Sequence, residues 1–303
     1  MQLQKATTTT IKYMKSRGLS PATLDGYGMG LRLFSRYLKE RGIKAIDEVA
    51  YQDMIEYINY LQTRPRLDGK PGNLATETIN SHIKALRGMF QYLHAAGALA
   101  HNPAEKITYF RNKRRVIKSF SSDQLKALFS VIPTTFSGRR DRLLFLLLLD
   151  CGLRISEALG LRAKDIFFGD KLMKVLGKGS KERLVPFGLK LKSGLESWIE
   201  EHSLSEERYI FFCQGKKSVT SACIRNHLRR YGQQAGITGV RVRPHIFRHT
   251  FAVFFLRNGG NPFVLKRILG HTTLYMTERY VDLLVEDLQR EHAQFGPGDR
   301  LEI

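Results

Sequence analysis

Residues 244–281 read PHIFRHTFAVFFLRNGGNPFVLKRILGHTTLYMTERYV and bring His245, Arg248, His271 and Tyr280 into one short stretch. Taken as a helix start, the stretch sets His245 and Arg248, three positions apart, one above the other on one face. Leu269-Gly270-His271 has the form of a helix end closed by glycine, and Tyr280 follows nine residues later. Cations, imidazoles and a phenol without a carboxylate triad suit a phosphodiester better than a carbonyl. Cations can neutralise its non-bridging oxygens, imidazoles can move protons, and a phenol can serve as nucleophile. Any one of these residues alone is more often an ordinary helix residue, so the weight rests on the joint pattern.

Two upstream segments extend the pattern. Cys151-Gly152-Leu153-Arg154-Ile155-Ser156-Glu157-Ala158-Leu159 places an arginine at a helix start beside an apolar run, with Glu157 one turn away to pair with it. Leu176-Gly177-Lys178-Gly179-Ser180-Lys181-Glu182-Arg183-Leu184-Val185-Pro186 reads as a basic hairpin whose glycines let the tip approach a backbone. A purely structural Arg154–Glu157 ion pair and a solvated hairpin turn are the plain alternatives.

Taken together the second half of the chain resembles the tyrosine recombinases: the phage-type integrases of mobile elements and the Xer-type chromosome-dimer recombinases. Six residues agree in type and order: Arg154, Lys178, His245, Arg248, His271 and Tyr280, with Glu157 in support. The resemblance implies a transesterification in which Tyr280 attacks the scissile phosphate to give a 3′-phosphotyrosyl link and a free 5′-hydroxyl. Arg154 and Arg248 hold the non-bridging oxygens, His245 and His271 hydrogen-bond them, and Lys178, rather than Lys181, protonates the leaving oxygen. It also implies double-stranded DNA with an inverted-repeat core site, a four-way junction, and a homo-tetramer on two duplexes joined by cyclic exchange of the C-terminal tail, with room for accessory proteins. Residues 272–282 look more like the mobile-element integrases than the Xer proteins.

Charge agrees with a nucleic-acid partner. The 303 residues carry a net charge of +21 and a pI near 10, which favours phosphate contacts and counterion release. Residues 1–108 hold 15 basic and 9 acidic side chains, residues 109–120 hold 5 and 0, and residues 121–303 hold 29 and 19. Candidate DNA contacts are Lys84 and Arg87 on a helix, Arg111, Lys113, Arg114 and Arg115 in the dense middle segment, Lys181 and Arg183 on the hairpin, and Arg241 and Arg243 before the H-x-x-R. Cys151, Cys213 and Cys223 have no metal-ligand spacing, and neither a Walker loop nor a carboxylate cluster is visible, so no metal and no cofactor is expected. The longest apolar run, residues 143–149, is too short for a bilayer, and no signal peptide opens the chain, which predicts a cytoplasmic, nucleoid-associated protein without a membrane partner.

The expected fold is mainly α with a small antiparallel β-sheet. An N-terminal helical bundle, the SAM-like core-binding domain that the resemblance implies, covers 1–108. A basic linker covers 109–120, an α+β catalytic domain 121–282, and a tail helix for docking between protomers 283–303. After a frayed start, Ser20-Pro21 caps a helix with Leu24, Tyr27, Leu31, Phe34 and Leu38 at helical spacing. Further helices are expected at 47–61 and 76–96, the latter with a buried stripe of Ile79, Ile83, Leu86, Phe90 and Leu93 and a polar face that is either solvated or turned to a DNA groove. Ser121 caps the first catalytic-domain helix. Strands are expected at 165–168, 172–176 and 183–187, and helices at 189–202 and 221–235.

Other classes make different demands. A type IB topoisomerase uses similar chemistry but typically has lysine where His245 stands. A non-catalytic DNA-binding protein has no use for all six residues, and an RNA-binding protein would show aromatic platforms.

Overall fold

The computed structural model describes residues 1–65, 72–111, 118–177, 181–215 and 218–270. The chain divides into two compact units, Met1–Arg114 and Arg115–Ile303.

The first unit holds α1 (Leu3–Ser16), α2 (Pro21–Glu40), α3 (Tyr51–Thr63) and α4 (Thr76–Ala95). The helix α1 corrects the expectation of a frayed start. Its buried side is Leu3, Ala6, Thr7, Thr10 and Met14, a stripe whose middle is alanine and threonine and which carries little hydrophobic signal between Leu3 and Met14. Packing against α2 and α4 outweighs the modest helix propensity of its four threonines. Ser20 caps α2 by accepting a hydrogen bond from the Thr23 N–H at 3.3 Å, with Pro21 at the first position. Leu31, Phe34 and Leu38 are buried while Leu24 and Tyr27 are half-buried. Gly30 allows α2 to approach α4 closely, because a Cβ there would lie 3.2 Å from His82 Nδ1. The expected helix from 47 starts later, at Tyr51, since Ile46–Glu48 forms a 3-10 turn. All five predicted stripe residues of α4 are buried. Phe34 packs edge-on against Tyr57 and Phe90. Each such large apolar side chain contributes roughly 1.5–3 kcal/mol on burial.

The second unit is organised on α6 (Phe136–Cys151), which follows α5 (Ser122–Ser130) and leads into the short α7 (Ile155–Leu159). Ser121 caps α5 as expected, and Gln124 makes the cap reciprocal: each side-chain oxygen accepts the other's backbone N–H at 3.1 Å. Leu144, Phe145, Leu147 and Leu148 of α6 are fully buried, and Phe145 stacks on Phe247. Strands β1 (Ile166–Phe167), β2 (Leu172–Leu176) and β3 (Glu182–Pro186) make an antiparallel sheet in the order β1-β2-β3. Met173 pairs with Val185, and Lys174 with Leu184. The period of two puts Met173, Val175 and Val185 in the core and leaves Leu176 and Leu184 exposed. The strand β1 is shorter than expected because Ala163–Asp165 is a 3-10 turn. Helices α8 (Leu189–Glu201), α9 (Ser221–Gln234), α10 (Pro244–Arg257) and α11 (Pro262–Leu269) follow among the described residues of the unit. Among the described residues no helix is long and apolar enough to cross a membrane.

Candidate active site

Three chain segments meet where α6 ends. Gly152 closes α6 in the left-handed region at φ 61°, and Leu153 is fully buried. Arg154 then stands at the N-cap of α7. Glu157 Oε2 accepts the Arg154 backbone N–H at 2.9 Å and its Oε1 accepts Arg154 Nη1 at 2.7 Å, the pairing that the sequence implies. The Arg154 side chain is still 34% exposed, so it can reach a ligand in solvent. Glu157 is buried. Burial pushes its carboxyl up, but hydrogen bonds from Arg183 and Arg154 outweigh this and hold it below the ordinary carboxylate value.

Pro244 opens α10, which places His245 and Arg248 on one face as predicted. Arg248 is 1% exposed. Its Nη1 donates to the Gly152 carbonyl at 2.9 Å and its Nη2 to the Leu269 carbonyl at 2.7 Å. The guanidinium thus ties the end of α6 to the end of α11. His245 stands at the surface beside His249, their rings edge to face. Crowding by protein atoms, then the charges of Arg248 and Arg154, push its pKa below the usual 6.5. Gly270 closes α11 at φ 64°, the glycine C-cap expected ahead of His271. Lys178, His271 and Tyr280 lie outside the described residues, so the structure brings together Arg154, Glu157, His245 and Arg248 of the predicted set.

The candidate DNA contacts divide. Lys84, Arg111, Lys181, Arg241 and Arg243 are exposed. Lys113, Arg114 and Arg115 lie outside the described residues. Arg87 is half-buried, donates to the Ile107 carbonyl and covers the Tyr109 ring at 5.4 Å, so it fastens the segment after α4 to that helix and is not presented as a groove contact. Arg183 needs a similar correction. Its side chain is 14% exposed and is held by Glu157 and the Ile268 carbonyl, because buried acceptors outcompete solvent for its fork.

The sequence reading also missed a basic groove of about 560 Å³ between α1 and α2, lined in part by Lys12, Arg32, Arg36 and Lys39. The spacing of Arg32, Arg36 and Lys39 puts them on one helix face, but without α1 there was no second wall to see. Among the described residues no group of three or more His, Cys, Asp or Glu is placed to hold a metal ion.

A model of the phage integrase family matches residues 118–286, more than half of the chain. The chain belongs to the phage integrase family. Residues 10–97 match the N-terminal SAM-like domain of phage integrases. Among relatives, the chain is 31% identical over 275 residues to a tyrosine recombinase of Pseudothermotoga lettingae, covering 90% of this chain and 92% of that one. It is 29% identical over 305 residues to the tyrosine recombinase XerC of Oceanobacillus iheyensis, covering 98% and 97%. In fold, this phage integrase family chain is similar to a lambda integrase (75-356) dimer bound to a COC′ core site, with a TM-score of 0.74, 17% identity, and coverage of 92% and 95%. The mainly helical architecture with its small antiparallel sheet is therefore that of the family.

Proposed function

We propose that the chain is a site-specific recombinase of double-stranded DNA acting through a 3′-phosphotyrosyl intermediate. The observation that carries this is the Arg248 fork. By holding the Gly152 and Leu269 carbonyls together, it gathers the C-G-L-R segment, the H-x-x-R helix start and the Leu269-Gly270 end of α11 at one place.

The chemistry follows from the residues in these segments. The Tyr280 phenolic oxygen attacks phosphorus as His245 takes its proton, a role helped by surroundings that lower the imidazole's pKa and favour its neutral form. The bond from phosphorus to the 5′ oxygen breaks, and Lys178 gives that oxygen a proton to leave a 5′-hydroxyl. Arg154 from the solvent side and Arg248 from beneath balance the charge that builds on the non-bridging oxygens, with His271 as a further donor. One ester replaces another, so a hydroxyl from a second duplex can reverse the step and exchange strands. Two such rounds pass through a four-way junction and require four protomers on two duplexes, for which residues 283–303 serve as the docking tail.

The unit before the basic segment acts as the core-binding domain, with Lys84 and the groove cations Lys12, Arg32, Arg36 and Lys39 among its phosphate contacts; Arg111, Lys113, Arg114 and Arg115 form the strap that follows. The protein works on DNA of the cytoplasm and nucleoid. Integration or excision of a mobile element is the first biological reading. Similarity to XerC over nearly the whole chain favours a second, the resolution of chromosome dimers.

Covalent capture tests the reaction. Wild-type protein and Tyr280→Phe are each mixed with fragmented DNA from the source cell in EDTA and denatured, and the protein-bound strands are sequenced. Adducts from the wild type alone, at one shared inverted-repeat site with protein on a 3′-phosphate, are expected. Scattered adducts point to a topoisomerase, and adducts from both proteins remove Tyr280 as nucleophile.

A further inference from the structure

Arg183, on β3, touches α7 and the end of α11 and stands beside Gly177. Its Nε donates to the Ile268 carbonyl at 2.8 Å, and Nη1 and Nη2 donate to Glu157 Oε1 and Oε2 at 3.1 and 2.9 Å. Its side chain also fills the space beside two glycines. A Cβ on Gly270 would lie 3.2 Å from Arg183 Cδ and Nε, and one on Gly177 would lie 3.3 Å from Nη1. Gly177 and Gly270 are the residues that immediately precede Lys178 and His271 in the chain.

Charge gives this arrangement a second consequence. Glu157 is 7% exposed, and its oxygens accept from Arg154 and Arg183 together. Two guanidiniums against one carboxylate leave a net positive charge at the pair. With Arg183 gone, Glu157 would be left to Arg154 alone, and a carboxylate away from water binds its single cation tightly. Of Arg154 and Arg248, the more exposed cation would then be neutralised.

We propose that Arg183 is a positioning residue for strand transfer: it neutralises Glu157 so that Arg154 keeps its charge for the scissile phosphate, and it fixes the Gly177 and Gly270 backbones that lead to Lys178 and His271. This rests on the recombinase reading above. It assigns Arg183 no contact with DNA.

The test compares full-length wild type, Arg183→Met, Arg183→Gln, Arg183→Lys, Glu157→Gln and the double variant Glu157→Gln/Arg183→Met. Each is mixed with fragmented DNA from the source cell. The initial rate of covalent adduct formation is read on denaturing gels, DNA retention by native filter binding, and folding by circular dichroism. Arg183→Met slows adduct formation by about 10- to 100-fold while retention is unchanged. The double variant is faster than Arg183→Met, because removing the carboxylate charge frees Arg154 again. A double variant no faster than Arg183→Met, or retention that falls in step with adducts, overturns the proposal. Should Arg183→Met not fold, Arg183→Gln carries the test, since it keeps a hydrogen-bond donor and loses the charge: slowed adducts with intact retention support the role, and a wild-type rate overturns it, while Arg183→Lys, which keeps the charge, is the faster of the two. A wild type that forms no adduct defeats the recombinase reading itself, whereas active wild type with equally active Arg183 variants defeats only this inference.

Discussion

Arg248 donates from Nη1 to the carbonyl oxygen of Gly152 at 2.9 Å, across 96 positions of sequence. The same guanidinium holds the Leu269 carbonyl, so one buried side chain joins the two turns that flank the site. Arg248→Ala leaves both carbonyls buried and unpaired, at about 1–3 kcal/mol each. Urea unfolding should show a loss of that size and adduct formation should disappear. Arg248→Lys restores charge but cannot span two acceptors with a planar fork, and it should recover stability only in part.

Gly152 itself is expected to resist any side chain. It sits at φ 61°, and a Cβ there would lie 2.4 Å from Phe251 Cδ1 and 2.8 Å from Leu269 Cδ2. Strain and overpacking together predict a loss of about 2–4 kcal/mol for Gly152→Ala. Gly18 has φ 76° but nothing within 4 Å, so Gly18→Ala should cost only about 1 kcal/mol. Equal losses in urea unfolding would show that the contacts with Phe251 and Leu269 are not what makes Gly152 necessary.

Which of these features could be read in the sequence depends on how far apart the partners lie. Arg154 and Glu157 are three positions apart beside an apolar run, and their pairing was legible from spacing alone. So were α2 and α4, whose stripes are leucine, isoleucine and phenylalanine. The helix α1 was not, because alanine and threonine occupy its buried positions between Leu3 and Met14. Arg183 was read as a phosphate contact since its neighbours on the hairpin are basic. Its true partners stand 26 and 85 positions away, and a contact of that kind leaves no periodic mark in a single sequence. The bond from Arg87 to the Ile107 carbonyl, 20 positions on, was hidden for the same reason. Lys178, His271 and Tyr280 lie outside the described residues, and their roles rest on sequence order.

A second buried ion pair lies away from the site and should separate folding from chemistry. Asp141, fully buried, accepts from Arg140 Nε and Nη2 at 3.0 and 2.7 Å and from the Tyr231 hydroxyl at 3.2 Å, and its Oδ2 is 2.7 Å from His227 Nδ1. Asp141→Asn leaves Arg140 without its counter-charge and should cost about 3–5 kcal/mol. The double change Arg140→Met with Asp141→Leu should cost less than that, since no charge is then stranded. Thermal unfolding checks both, and the folded fraction of each variant should form adducts at the wild-type rate.

His245 ties the site to pH. Crowding by protein atoms, then Arg248 and Arg154, lower its folded pKa below 6.5. Because the unfolded chain then binds the proton more readily, the associated stability is fully present above 6.5 and is lost as pH falls through the folded pKa. The neutral imidazole also survives below 6.5, so the acid limb of adduct formation against pH should fall below that value. Proton NMR of the His245 ring gives the midpoint directly, and Arg154→Gln, by removing one of the repelling charges, should move it upward. A wild-type midpoint at or above 6.5, or one that Arg154→Gln leaves in place, would mean that the cations around His245 do not set its protonation and that its part in accepting the Tyr280 proton needs another source of a neutral ring.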